Sequence, residues 1–121
     1  MKKILVIDDD PTIVNLLCEV LASEDRVIRR AGDGTTAMNW LEKETFHLII
    51  SDLMMPGPHG YQIVETIKSN PDLRSAKTIL LTAKAYKRDE EKAKQIGTDI
   101  FMTKPFKIEE LRATVDKLLS E

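Results

Sequence analysis

The sequence predicts an α/β fold in which five parallel β-strands alternate with five α-helices. Short runs such as Leu48-Ile49-Ile50 are apolar at consecutive positions, which is typical of strands buried on both faces of a parallel sheet. Segments with apolar residues at helical spacing separate these runs, and only short connections remain between them. This alternation favours a doubly wound sheet with right-handed crossovers and helices on both faces.

Length and composition indicate one domain over residues 1–121. A domain of this size buries roughly two-thirds of its unfolded surface, so it needs no disulfide or structural metal. Cys18 is the single cysteine and falls at helical spacing, which favours a small core residue in a reducing cytoplasm. No apolar stretch approaches the roughly 20 residues of a membrane span, and the start resembles no signal peptide. The formal net charge of −2 gives no indication of direct nucleic-acid binding.

The first part of the chain predicts two strands around one helix. Residues 3–8 form an apolar run that ends on an acid, and Pro11 suits the first turn of a helix over residues 11–22. Apolar residues recur in that helix at a spacing that gives it one buried face. Residues 26–31 are more polar, so we place this strand at the flank of the sheet.

The middle of the chain predicts the central strand between two helices. A Gly-Asp-Gly turn precedes a helix over residues 35–44. Residues 47–52 are apolar on both sides of the pleat and end on Asp52, so they form the central strand. A Met-Pro-Gly turn then leads to a helix over residues 61–68.

The last part of the chain predicts two strands and two helices. Residues 77–82 form the fourth strand, and a charged helix over residues 89–96 ends at Gly97. Residues 99–102 form a short fifth strand. The final helix, residues 108–119, has apolar residues at 108, 111, 115 and 118.

Polar side chains mark the ends of the predicted strands. The carboxyl ends of parallel strands meet at one edge of the sheet, where open α/β sheets bind ligands, so we expect these side chains to lie together. They are Asp8-Asp9-Asp10 after the first strand, Asp52 at the end of the third, Thr82 at the end of the fourth and Lys104 after the fifth. Neighbouring carboxylates with one lysine carry surplus negative charge, which favours a divalent cation. Oxygen ligands without Cys or His indicate Mg²⁺ rather than zinc.

A purely structural interpretation is open for each of these acids taken alone. Asp9 or Asp10 can cap the first helix, and Asp52 can begin a turn. That interpretation does not explain why the acids, the hydroxyl and the lysine follow successive strands.

The chain resembles the receiver domains of two-component response regulators along essentially its whole length. The resemblance rests on Asp8-Asp9, Asp52-Leu53-Met54-Met55-Pro56-Gly57, Thr82-Ala83 and Lys104-Pro105-Phe106, in this order. It implies a flavodoxin-like fold with the strand order 2-1-3-4-5. It also implies a signalling phosphoacceptor with self-phosphorylation and self-dephosphorylation only, rather than an enzyme.

The resemblance implies a role for each residue of the acidic cluster. Asp52 is expected to accept a phosphoryl group from the phosphohistidine of a histidine kinase or phosphotransfer protein. Mg²⁺ is expected to bind Asp9, Asp52 and the backbone carbonyl of Met54 directly, and Asp8 more through water. Lys104 is expected to pair with Asp52 and then with a phosphoryl oxygen, and the Thr82 hydroxyl is expected to donate to another phosphoryl oxygen.

The resemblance also implies a switch that reaches a downstream partner. The residues expected to take part are Thr82, Ala83, Phe101 and Pro105, with Lys104-Pro105 as a cis bond. The face made by the fourth helix, fifth strand and fifth helix is expected to bind a partner or output domain, in a monomer or a weak phosphorylation-dependent dimer. Ile100 replaces an acid common in the members that dimerise through the last helices and bind DNA, which weakens assignment to that group. With 18 basic and 20 acidic residues and no long basic run, we expect no direct contact with nucleic acid, and without a long apolar stretch we expect none with a membrane.

Two other functions fit the fold class. A metal-dependent phosphatase with an aspartyl nucleophile needs a second acid two residues after Asp52 as general acid, and Met54 is there instead. An FMN-binding module needs a phosphate loop rich in Ser, Thr and Gly after the first strand. This chain has three aspartates there, which repel phosphate unless a metal is present.

Overall fold

The computed structural model describes residues 1–84 and 86–121 and contains all ten predicted elements, with ends within two residues of the prediction. The strands are β1 (Lys2–Ile7), β2 (Arg26–Ala31), β3 (Leu48–Asp52), β4 (Lys77–Thr82) and β5 (Ile100–Thr103). The helices are α1 (Pro11–Leu21), α2 (Gly34–Lys43), α3 (Gly60–Ser69), α4 (Lys87–Gln95) and α5 (Ile108–Ser120).

The strands form one parallel sheet in the order β2-β1-β3-β4-β5, which confirms the predicted fold class. Strand β3 lies in the centre, and all five of its residues are buried. Two buried faces explain why its sequence is apolar at successive positions rather than alternating. The most polar strand, β2, lies at the edge of the sheet, as its composition predicted.

Successive residues of β1 enter different parts of the core, one on each face of the sheet. Ile4 and Val6 pack with residues of α1 and α5, whereas Leu5 and Ile7 pack with residues of α2 and α3. A smaller cluster completes the core beside α4 and consists of Leu53, Val64, Leu80 and Ala93. The helices therefore cover both faces of the sheet. A binding site is expected at the carboxyl ends of the central strands, which the helices leave open.

Two aspartates start the first two helices. The Asp10 carboxylate accepts a hydrogen bond from the Thr12 backbone N–H at 2.9 Å, and the Asp33 carboxylate accepts one from Thr36 at 2.7 Å. Each side chain satisfies one backbone donor that the first turn leaves free. The structural interpretation of the acid run is thus correct for Asp10. Among the described residues, no helix combines the length and apolar character needed to cross a membrane.

The loop between β3 and α3 is held against the start of α2 by a close backbone contact. Gly34 lies directly under the Pro58 carbonyl, and a Cβ at position 34 would overlap that oxygen. Gly32, two residues earlier, has no atom within 4 Å of the position that a Cβ would take. Neither glycine has a positive φ, so the two positions differ in space and not in backbone conformation.

We predict that Gly34→Ala lowers the free energy of unfolding by about 2 kcal/mol, because the loop must shift to admit the methyl group. Gly32→Ala is the matched control and should leave stability unchanged or raise it by up to about 1 kcal/mol, because alanine restricts the unfolded chain. Urea unfolding of both variants measures the difference. Equal stability of the two variants would contradict the role of the Gly34–Pro58 contact.

Candidate functional site

Backbone hydrogen bonds extend the sheet one residue beyond three strands and position the side chains that follow. The N–H of Asp8 donates to the Ala31 carbonyl at 3.1 Å, and the N–H of Leu53 donates to the Leu81 carbonyl at 2.8 Å. The N–H of Lys104 donates to the Thr82 carbonyl at 2.7 Å. These bonds bring Asp8, Asp52 and Lys104 to the same edge of the sheet, as the sequence predicted.

Three carboxylates converge at this edge. One oxygen each from Asp8, Asp9 and Asp52 lies within 4.8 Å of the other two. Asp8 is 1% exposed and Asp52 is 8% exposed, whereas Asp9 is exposed to solvent. Burying two carboxylates this close together is unfavourable unless a cation or a proton balances their charge.

Lys104 supplies part of that balance, but its nearest partner differs from the expected one. Its Nζ lies 2.7 Å from Asp8 Oδ2 and 3.5 Å from Asp52 Oδ1. The ammonium group therefore donates its hydrogen bond to Asp8 and contacts Asp52 as a longer ion pair. Asp8 directly follows β1 and Asp52 ends the adjacent strand β3 at the same height, so the sequence could not predict which acid Lys104 approaches more closely.

Both oxygens of Asp8 already accept hydrogen bonds. Oδ1 accepts one from the Asp10 backbone N–H at 2.9 Å, and Oδ2 accepts the one from Lys104. Among the described residues, no group donates a hydrogen bond to the Asp9 carboxylate, and the Asp52 carboxylate has only the longer ion pair with Lys104. Asp9 and Asp52 therefore have more acceptor capacity free for a cation than Asp8.

The two charged groups at the centre of the site have shifted pKa values. Burial raises the pKa of the Asp52 carboxyl, and repulsion from Asp8 adds to the rise, while Lys104 opposes it. Burial alone would lower the pKa of Lys104, but its hydrogen bond to Asp8 and the charge of Asp52 outweigh burial and raise it. The lysine is therefore a fixed positive charge at neutral pH, whereas Asp52 gains from any further positive charge placed beside it.

The donor set fits a small divalent cation that prefers oxygen ligands. All of the converging side chains are carboxylates, and the described residues place no His or Cys among them. Their negative charge exceeds the single positive charge of Lys104, which is the balance that Mg²⁺ would correct. The Met54 side chain is 69% exposed and points no polar group at the acids, so only its backbone carbonyl is a candidate ligand.

Thr82 lies beside this cluster but is engaged elsewhere. It is 4% exposed, and its hydroxyl donates to the Lys84 carbonyl at 3.0 Å. A cavity of about 490 Å³ opens next to it and next to Asp52. The other residues that line the cavity are Leu53, Met54, Ala83, Lys84, Tyr86, Arg88, Asp89 and Lys104.

Phe101 and Pro105 lie on the strand and loop next to Thr82. Phe101 pairs in register with Leu80 of β4, and its half-buried side chain packs against the cluster that contains Leu80 and Ala93. Pro105 is exposed, and the Lys104–Pro105 bond is cis, as the resemblance implied. Phe101 is therefore near α4 and only partly packed against it.

The sequence does not predict that Tyr86, Arg88 and Asp89 line this cavity. Each has an ordinary explanation in sequence terms, as a loop aromatic or as charges on a hydrophilic helix. Only the approach of the first turn of α4 to the end of β3 shows that they share a cavity with Asp52. A larger cavity of about 940 Å³ lies between the ends of α2 and α3 and contains none of the converging acids.

Comparison with known proteins gives one consistent family. The family model described as response regulator receiver domain matches residues 4–116. The heme response regulator HssR of Staphylococcus aureus is 37% identical over 111 residues, which are 92% of this chain and 48% of that protein. The chain thus spans about half the length of the curated relatives it matches.

Solved structures of similar sequence have the same fold. The BeF3-activated DrrB receiver domain, from Thermotoga maritima, has a TM-score of 0.91 and 33% identity, with 100% of this chain and 99% of that chain covered. The receiver domain of a signal transduction histidine kinase from Syntrophus aciditrophicus has a TM-score of 0.90 and 35% identity, with coverage of 99% and 91%.

We predict that Asp52→Asn stabilises the metal-free chain at pH 7 by about 1 kcal/mol. The variant removes a buried charge that Asp8 repels, although it also loses the attraction of Lys104. Because folding raises the pKa of the Asp52 carboxyl, its protonated form stabilises the folded state. This stabilisation is lost as the pH rises through the pKa that Asp52 has in the folded state. The gain from asparagine should therefore be present at pH 7 and disappear below about pH 4.

Urea unfolding at the two pH values measures this difference. Asp72→Asn is the control, because Asp72 is an exposed aspartate outside the acidic cluster. A variant at position 52 that is no more stable than wild type at pH 7 would show that the Asp8 repulsion is already neutralised.

Proposed function

The chain belongs to the response regulator receiver domain family, and on that premise we propose that Asp52 accepts a phosphoryl group from a histidine kinase or a phosphotransfer protein. We propose that residues 1–121 act as one receiver domain, in the cytoplasm, as a signalling phosphoacceptor and not as an enzyme with a separate substrate. The observation that carries the proposal is the buried Asp52 carboxylate at a strand end, close to two further acids and 3.5 Å from the Lys104 ammonium.

Asp52 is the nucleophile in the proposed transfer. One of its carboxylate oxygens forms a bond to phosphorus while the P–N bond of the kinase phosphohistidine breaks. The leaving imidazole keeps the electron pair of that bond and takes up a proton. Such transfer requires mainly in-line positioning and neutralisation of charge. The central strand supplies the positioning, because β3 pairs with neighbours on both sides.

The other residues of the site stabilise charge on the phosphoryl group. Lys104 contacts Asp52 before transfer and would pair with a phosphoryl oxygen as a point charge afterwards. Asp9, Asp52 and the Met54 carbonyl would hold Mg²⁺ directly and Asp8 through water, which fits the two hydrogen bonds that Asp8 already accepts. When bound, Mg²⁺ would neutralise charge that develops on the phosphoryl oxygens.

Thr82 links the phosphoryl group to the rest of the domain. Its hydroxyl now donates to the Lys84 carbonyl, so it must give up that bond to donate to a phosphoryl oxygen. Phosphorylation adds about one negative charge and several acceptor oxygens at Asp52, which favours this exchange. The exchange frees the Lys84 carbonyl, two residues beyond the end of β4, from its bond to Thr82.

We propose that Phe101, with Ala83 and Pro105 beside the site, carries this change to the α4–β5–α5 face. The Phe101 ring is half-buried beside Leu80 and Ala93 and can pack more deeply if α4 moves. Full burial of such a ring contributes about 1.5–3 kcal/mol, and a half-buried ring gains less. A complete switch needs about 5.5 kcal/mol, so the Thr82 and Lys104 contacts or a bound partner must supply the remainder.

A protein partner or output domain fits this face better than nucleic acid does. The chain has 18 basic and 20 acidic residues, so its charge gives no general attraction for phosphates. We propose that the chain is a monomer or forms a weak dimer when phosphorylated. The curated relatives are about twice as long as this chain. The response that such a relative controls is therefore a property of the whole relative.

We predict that Asp52→Asn abolishes phosphorylation by acetyl phosphate in the presence of Mg²⁺, because asparagine is not a nucleophile for this transfer. Intact-mass spectrometry measures the added phosphoryl group. Asp9→Asn should slow labelling through the loss of a cation ligand. Asp10→Asn is its control, because asparagine caps a helix about as well as aspartate. Unchanged labelling of Asp52→Asn would rule out this phosphoacceptor.

We predict that Phe101→Ala leaves labelling of Asp52 intact but reduces the phosphorylation-induced NMR shift changes in α4 by at least about half, because the ring no longer stabilises the moved helix. Thr82→Ala should do the same by removing the hydroxyl. Met102→Ala is the control, because Met102 is half-buried in β5 and packs against the opposite core cluster. Shift changes of wild-type size in Phe101→Ala would contradict the switch.

A further inference from the structure

A tyrosine of α3 is hydrogen-bonded to the first turn of α4. The Tyr61 hydroxyl donates to Asp89 Oδ1 at 2.8 Å and lies 3.3 Å from the Asp89 carbonyl oxygen. Burial and then the hydrogen bond to Asp89 raise the pKa of Tyr61 to about 12. The hydroxyl therefore keeps its proton at neutral pH and remains a donor to a charged acceptor, which is a strong kind of hydrogen bond.

The described part of the chain shows few other contacts that hold α4 in its place. Ala93 is its single buried residue among those described, and the remainder of the helix is hydrophilic. The described residues include one ion pair between α3 and α4, from Lys92 to Glu65 at 3.7 Å, with both side chains about half exposed. An ion pair of this kind contributes little. The Tyr61–Asp89 hydrogen bond is thus the best-formed polar contact seen between the two helices.

The turn that Tyr61 holds is also part of the cavity next to Asp52. Tyr86, Arg88 and Asp89 line that cavity together with Asp52 and Thr82. One hydrogen bond near this cavity, from Thr82 to the Lys84 carbonyl, lies just after β4, and another, from Tyr61 to Asp89, lies in the first turn of α4. Recruitment of the Thr82 hydroxyl by a phosphoryl group would break the first and leave the second intact.

We propose that Tyr61 is a positioning residue for the phosphorylation site, which through Asp89 holds the first turn of α4 in the resting arrangement and opposes the activated one. The inference rests on the proposed function of Asp52. Recruitment of Thr82 alone does not break the Tyr61–Asp89 bond, but the proposed movement of α4 does, because it displaces the turn that carries Asp89. A ligand that favours the activated arrangement therefore binds less tightly than it would without that bond. If the Tyr61–Asp89 bond only stabilised the fold, its loss would weaken the binding of such a ligand or leave that binding unchanged.

Beryllofluoride, which mimics a phosphoryl group on a carboxylate, measures this coupling in the 121-residue chain. Isothermal titration in the presence of Mg²⁺ should show that Tyr61→Phe binds the mimic about three- to tenfold more tightly than wild type, since the ring is kept and only the hydroxyl is lost. Titration with Mg²⁺ alone should give the same affinity for both proteins. Lys92→Gln, which removes the exposed ion pair between the same helices, should stay within about twofold of wild type.

A second variant tests the pair from its other side. Asp89→Ala should also tighten binding of beryllofluoride, and the double variant with Tyr61→Phe should gain no more than either single one, as expected for two groups that act through one bond. Glu90→Ala is the matched control, because it removes an acid from the same helical turn without touching Tyr61.

The outcomes separate this inference from the function on which it rests. If wild type binds beryllofluoride, Asp52→Asn does not, and Tyr61→Phe binds no more tightly than wild type, the positioning role is wrong and the phosphoacceptor stands. If wild type fails to bind the mimic, or Asp52→Asn binds it equally well, both proposals are overturned.

Discussion

The balance of charge among Asp8, Asp52 and Lys104 is the constraint on which the site depends. Two buried carboxylates share one ammonium group, which lies 2.7 Å from the first and 3.5 Å from the second. A core made only for stability would not bring like charges together out of water. The sheet does so because three of its strands end at one edge, and backbone hydrogen bonds beyond each strand hold the side chains there. Positive charge added beside Asp52 then stabilises the site.

The scaffold divides into a rigid part and a part that can respond. Strand β3 is buried along its whole length and pairs with β1 and β4, so Asp52 has little freedom to move. Helix α4 has one buried residue among those described, Ala93, which packs in the small apolar cluster, and its first turn accepts the hydrogen bond from Tyr61. A few hydrogen bonds on α4 can be exchanged at a cost of a few kcal/mol, whereas displacement of β3 would disrupt the core.

The contacts of Asp8 connect the acidic cluster to the start of the first helix. Its two oxygens accept hydrogen bonds from the Asp10 backbone and from Lys104, and Asp10 in turn caps α1. The run of three acids therefore contains three different environments: a buried acceptor, an exposed carboxylate and a helix cap. Composition alone makes the three residues look equivalent, and their places after the strand make them different.

The sequence by itself determined the elements, the fold class and the set of residues that meet at the edge of the sheet. Apolar periodicity is local, and parallel strands separated by helices bring their carboxyl ends together whatever the details of the loops. Only the tertiary structure decided that Lys104 lies nearer to Asp8 than to Asp52, that Gly34 lies under the Pro58 carbonyl, and that Tyr61 bonds to Asp89. Each of these contacts depends on the direction of a side chain or the path of a loop between elements distant in sequence. Local patterns carry no information about such distances, because they arise from the packing of the whole chain.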